Sequence, residues 1–192
     1  MERTGRRRVS KVGVFGGTFD PVHVGHLAIA NAALDELGLD RVYFVPARRS
    51  PLKQDGPIAS AEDRLAMLAA AIRDEPRFRV TKVELDRKGP SFTIDTLESL
   101  RGEGELFLIL GSDAYADFER WREPARIREL ATIVLAARPG APNAPAAVRM
   151  LDSPLMDISA RELRTRAARG RSLRYLVPEA ALRYIEEHRL YR

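Results

Sequence analysis

Apolar residues follow two rhythms along the chain. Runs at residues 12–15, 41–46, 105–110 and 131–136 are rich in Val, Ile, Leu and Phe with little polar alternation, the pattern of strands buried on both faces of a sheet. Residues 78–85 predict a further strand. Between these runs the apolar spacing lengthens to three and four. Residues 24–37 predict a helix stopped by Gly38, and Ser60 with Asp63 opens a second, with Leu65, Met67, Leu68, Ala71 and Ile72 facing inward. Residues 91–97 begin a third, and Ala181, Leu182, Ile185 and Leu190 mark a last one after Pro178. Strand, helix, strand with a short return is a parallel βαβ unit. The expected fold is therefore a single α/β domain over residues 9–192, with a mostly parallel sheet and helices on both faces. No internal repeat, low-complexity tract or linker divides it.

Composition narrows this only a little. With 192 residues, 45% of them hydrophobic, the chain can bury one core and falls short of two comfortable ones. No stretch is apolar for long enough to span a membrane, and residues 1–10 are basic without the apolar segment of a secretory signal. A cytoplasmic protein with no membrane partner is expected. The lack of Cys removes disulfides and thiol nucleophiles. A net charge of +5 and a pI near 9.9 suit nucleic acid and small polyphosphates alike. The arginines are nevertheless dispersed, apart from Arg6-Arg7-Arg8 and a cluster over residues 161–174. The first reads as part of a basic, disordered tail over residues 1–8 and the second as part of a site, so no nucleic-acid partner is expected.

Candidate chemistry concentrates between the first strand and the first helix, in Gly16-Gly17-Thr18-Phe19-Asp20-Pro21-Val22-His23-Val24-Gly25-His26-Leu27. A strand, a glycine turn and a helix start aim backbone N–H groups and the positive helix end at an anion. Gly16 and Gly17 let the backbone approach a phosphate chain, Thr18 adds a hydroxyl donor, and Pro21 fixes the loop ahead of the helix. His23 and His26 are three apart, so both imidazoles can face one ligand from the first turn and stabilise charge on a transferred phosphoryl group. A zinc site is disfavoured, because the only further His is His188 and there is no Cys. Lys53, in a loop leaving the second strand, is a candidate polyphosphate contact or a plain solvated Lys.

This stretch resembles the nucleotidyltransferase signature Gly-x-Phe-Asp-x-x-His-x-Gly-His, and Phe19 and Asp20 enter the candidate site through it. Gly89-Pro90-Ser91-Phe92-Thr93 followed by Asp95-Thr96-Leu97 is similar to a string of the nicotinate mononucleotide adenylyltransferases, with Phe92 in place of Tyr. Gly111-Ser112-Asp113 resembles the family's Gly-x-Asp turn, where an Asp past a strand end accepts from a ribose hydroxyl or caps the next helix. Trp121 stands where the family places an aromatic against the pyridine ring. Arg138-Pro139-Gly140 and the closing Arg189-Leu190-Tyr191-Arg192 are also family-like. Ile158-Ser159-Ala160-Arg161-Glu162-Leu163-Arg164 resembles Ile-Ser-Ser-Thr-x-Ile-Arg, with Ser159 and Arg164 in place and Arg161 where the family has Thr. A cation in a first helical turn is disfavoured by the helix dipole, which points to an anionic ligand near Arg161.

The resemblance implies a Rossmann-like nucleotidyltransferase that joins ATP to nicotinate mononucleotide, with Mg²⁺ carried mainly on ATP phosphates and no metal site of the protein's own. His23, His26 and Arg164 are the expected catalytic groups. Gly16, Gly17, Thr18, Phe19, Asp20, Lys53, Thr93, Gly111, Asp113, Trp121, Ser159 and Arg161 are the expected substrate contacts. Nicotinamide mononucleotide or phosphopantetheine as acceptor, and a nucleotide-binding regulator without turnover, are the rival readings; a homo-oligomer is left open. One departure stands out: Leu52 replaces the His of the family's Pro-Pro-His-Lys, which shifts its work to Lys53, Arg48 or Arg49.

Overall fold

The computed structural model describes residues 8–48, 56–137 and 148–192. Within them β1 (Lys11–Gly17), β2 (Arg41–Pro46), β3 (Phe78–Val80), β4 (Glu105–Gly111), β5 (Ala131–Ala136) and β6 (Arg149–Leu151) form one sheet in the order β3-β2-β1-β4-β5-β6. Every pairing between them is parallel. Chain order reverses at β1 and β4, and in open α/β sheets the crevice beyond the carboxyl ends of such a strand pair takes the ligand.

The helices are α1 (Val24–Leu37), α2 (Ala61–Ala71), α3 (Thr93–Leu100), α4 (Ser112–Ala116), α5 (Pro124–Leu130), α6 (Ala160–Ala168) and α7 (Glu179–Glu187). The two-residue period of β1 divides its side chains between two cores. Phe15 joins Phe44, Ile109 and the inner faces of α1, α2, α6 and α7, while Val12 and Val14 join Leu106, Leu108 and the inner faces of α3 and α5. In α1 the buried Ala30, Ala33, Leu34 and Leu37 form one stripe, and Gly38 ends the helix in left-handed backbone (φ 59°) with its N–H on the Leu34 carbonyl.

The third strand is shorter than the expected 78–85. It leaves the sheet after Val80, and the Asp86 N–H closes a turn on the Lys82 carbonyl at 2.9 Å. Period two would put Glu84 on the same face as Phe78, and a buried carboxylate needs a donor. Glu84 finds it off the sheet, accepting from the Thr96 hydroxyl at 2.7 Å. The third helix likewise starts at Thr93 rather than 91: Ser91 does not cap it, its hydroxyl accepting instead from the Arg48 N–H at 3.0 Å. Strand β6 is not expected from the pattern, since Arg149 and Met150 are exposed and only Leu151 is buried.

Candidate active site

Gly16 and Gly17 do not form the expected turn: they close β1 in extended backbone, paired with Val45 and Pro46 of β2, and the chain turns only after them, at the switch point between β2 and β4. A Cβ on Gly17 would lie 2.9 Å from the Phe19 ring, so only glycine lets that ring fold back against the end of β1. Phe19 sits in left-handed backbone (φ 49°), uncommon for a bulky residue, and packs edge-on against Phe15 and His26 with centroids 5.9 and 5.0 Å away. His23 is the N-cap of α1 and is buried; His26 stands one turn later, half-buried. Their rings stack, with centroids 3.6 Å apart at 25°. The backbone N–H of His23 donates to His26 Nδ1 at 3.2 Å, so Nδ1 is the acceptor and the ring carries its proton on Nε2. Gly25 makes room for the stack, because a Cβ there would come within 3.2 Å of His23 Nδ1. No acid lies in the first turn of α1, which leaves its positive end uncompensated by the helix itself.

Behind the turn lies a buried polar hub. Asp20, 1% exposed, accepts from the N–H of Ile58 at 2.8 Å and of Ala59 at 3.1 Å, and from the Tyr191 hydroxyl at 2.7 Å. Arg164 reaches it from α6, donating to the Asp20 carbonyl at 2.7 Å and standing 3.8 Å from the carboxylate. Arg64 of α2, also 1% exposed, donates to the carbonyls of Thr18 and Ala47 at 2.7 and 2.8 Å. Burial pushes the Arg64 guanidinium below its ordinary range, opposed by the negative charge of Asp20. Phe19 and Asp20 thus face the protein interior and hold the loop in shape. Arg164 has its Nη1 engaged in the same hub, and its buried Nε has no partner among the described residues.

Sequence reasoning passes over Arg64 and the hydroxyl of Tyr191. For Arg64 the signal is its place on the buried stripe of α2 with Met67 and Leu68, where a charge demands acceptors. Nothing in the pattern around Tyr191 tells its hydroxyl from its ring.

The remaining candidates come from neighbouring elements. Gly111 closes β4 and is the N-cap of α4, with Asp113 exposed in its first turn. Thr93 begins α3. Trp121 packs on Phe118 (5.4 Å) against the second core, and its indole N–H is buried without a hydrogen-bond partner among the described residues. Ser159 caps α6, accepting from the Glu162 N–H at 3.2 Å, and Arg161 is exposed in the first turn. Arg161 lines an open cleft of about 420 Å³ along α6, with Ser159, Arg166, Arg169 and Arg171. Neither histidine lines that cleft. Lys53, Arg49 and Leu52, and the string Arg138-Pro139-Gly140, lie outside the described residues.

Among the described residues no three His, Cys, Asp or Glu side chains gather to hold an ion. The one carboxylate in the loop, Asp20, is committed to backbone and side-chain donors. This donor set fits a cation that arrives coordinated by phosphate oxygens and water. No helix of the described residues is long and apolar enough to cross a membrane.

A model of the cytidylyltransferase-like family matches residues 14–166. A protein of Thermus thermophilus named "Probable nicotinate-nucleotide adenylyltransferase" is 50% identical over 187 residues, covering 95% of this chain and all of its own length. One of the same name from a Roseiflexus species is 47% identical over 194 residues, covering 94% and 98%. Among solved structures, the Plasmodium falciparum nicotinic acid mononucleotide adenylyltransferase complexed with NaAD superposes with a TM-score of 0.78, covering 95% of this chain and 97% of that one; at 16% identity it supports the fold.

Proposed function

The chain belongs to the cytidylyltransferase-like family, and from that premise we propose that it transfers the adenylyl group of ATP to nicotinate mononucleotide, giving deamido-NAD and pyrophosphate in NAD biosynthesis. The observation that carries the reading is the stacked His23–His26 pair on the amino end of α1, set against the two glycines that close β1 at its carboxyl end. A phosphate oxygen of the mononucleotide attacks the α-phosphorus in line. One P–O bond forms as the bond bridging the α- and β-phosphorus breaks, and pyrophosphate leaves without a covalent enzyme intermediate.

The protein's part is to position and to stabilise charge. Gly16, Gly17 and Thr18 cradle the triphosphate, His26 donates from Nε2 to the reacting phosphate, and His23 holds His26 in place. Arg164, Lys53, Ser159 and Arg161 meet the rest of the polyphosphate, Gly111 and Asp113 the ribose, and Thr93 and Trp121 the pyridine side. Mg²⁺ bound on the ATP phosphates neutralises their charge. The cytoplasm is the compartment we assign.

Pyrophosphate release measured with ATP and either nicotinate or nicotinamide mononucleotide tests the proposal: turnover with a higher kcat/KM for the nicotinate form is expected, and no turnover with either overturns it. Trp121→Ala should raise the KM for the mononucleotide several-fold, as expected for a stacking contact of about 1 kcal/mol, while the KM for ATP moves little. A fall in thermal stability with both KM values unchanged would assign Trp121 to the core alone.

A further inference from the structure

The histidine loop is tied to the far end of the chain. Tyr191 meets Asp20 across 171 positions, and among the described residues the other contact of its hydroxyl is Met67 Sδ at 3.9 Å. We infer that Tyr191 is a positioning residue for the reaction: its hydroxyl fixes the Asp20 carboxylate that joins the glycine loop to the segment entering α2, and so sets where the loop stands against the triphosphate. The inference rests on the adenylyl-transfer reading above.

Three features argue for this over simple packing. The ring of a Phe would fill the same volume, so burial alone does not call for the hydroxyl. The carboxylate it meets is shared, because Oδ1 accepts from Tyr191 and from Ala59 while Oδ2 accepts from Ile58 and lies 3.8 Å from Arg164. Taking away one donor lets the carboxylate turn toward the cation at the expense of the two amides, and the loop moves with it. The chain also reaches this contact through strained backbone: Arg189 (φ 51°) and Tyr191 (φ 63°) both adopt the left-handed conformation, which costs free energy in residues other than glycine. Burial, then the hydrogen bond to Asp20, pushes the phenol far above its ordinary range, so it stays a donor at any working pH.

The test compares Tyr191→Phe with Leu190→Ala, which loosens the same segment against the first core without touching Asp20. Each is assayed well below its melting temperature for kcat, for KM of both substrates, and for the Kd of α,β-methylene-ATP. Tyr191→Phe should lower kcat about tenfold, the scale of one hydrogen bond to a charged group, and weaken the analogue several-fold with the mononucleotide KM within twofold. Leu190→Ala should melt earlier and keep kcat and Kd within twofold. Parental kcat and Kd in Tyr191→Phe, the same losses in Leu190→Ala, or a Tyr191→Phe chain that does not fold would each overturn the inference. If the parent itself shows no turnover, the proposed function fails, and the analogue Kd alone decides the role of Tyr191.

Discussion

His26→Ala should lower kcat by about a hundredfold or more while the protein keeps its fold, the loss typical of removing one donor aimed at charge that develops in the transition state. The geometry separates this residue from its neighbour. His26 is half-buried, takes a backbone N–H on Nδ1, and so carries its proton on Nε2. His23 is 3% exposed, caps α1 and stacks on His26 at 3.6 Å, so its ring supports the donor from behind. His23→Ala should therefore cost melting temperature as well as kcat, whereas His26→Ala should cost kcat with little change in melting. Single-turnover rates of adenylyl transfer, measured beside thermal melts, distinguish the two. Near-parental turnover in His26→Ala would remove it from the chemistry.

Local patterns carried much of the fold. Branched runs, the Gly38 stop and the Ser60 cap are signals that a few neighbouring residues impose on each other, and α1, β2 and the start of α2 stand where those signals put them, while β1 runs on through the two glycines expected to turn. That the two histidine rings lie together was legible for the same reason, since residues three apart at a helix start are neighbours. What escaped is non-local. Phe78 begins a strand of three residues because Glu84 finds a partner on α3, a contact that no window around residue 84 contains. Strand β6 depends on pairing with β5 and not on its own polar Arg149. Asp20 reads as a substrate contact until Ile58, Ala59, Arg164 and Tyr191 close on it from three later parts of the chain. A sequence motif thus brings residues into a candidate site without saying whether each one faces outward or into the protein.

That distinction makes Asp20 the residue whose loss should be felt most in stability. Removing its carboxylate by Asp20→Ala strands the Ile58 and Ala59 amides and the Tyr191 hydroxyl, takes the counter-charge from Arg164, and removes the negative charge that opposes the burial of the 1% exposed Arg64. Breaking a buried charge cluster from one side costs about 3–5 kcal/mol. For a chain of 192 residues this corresponds to a fall in melting temperature of roughly 6–20 °C. Asp20→Asn should fall between parent and alanine, because the amide keeps one acceptor and the volume but turns a donor toward the Ile58 and Ala59 N–H groups. Arg164→Ala alone should also destabilise, since it frees the Asp20 carbonyl. The double variant Asp20→Ala with Arg164→Ala should then be less destabilised than the sum of its parts, because the arginine that had lost its partner is gone. Melting temperatures and denaturant midpoints of the four proteins give the coupling directly. Additive losses would mean that Arg164 and Asp20 act independently, and a parental melting temperature in Asp20→Ala would mean that the hub does not hold the loop at all.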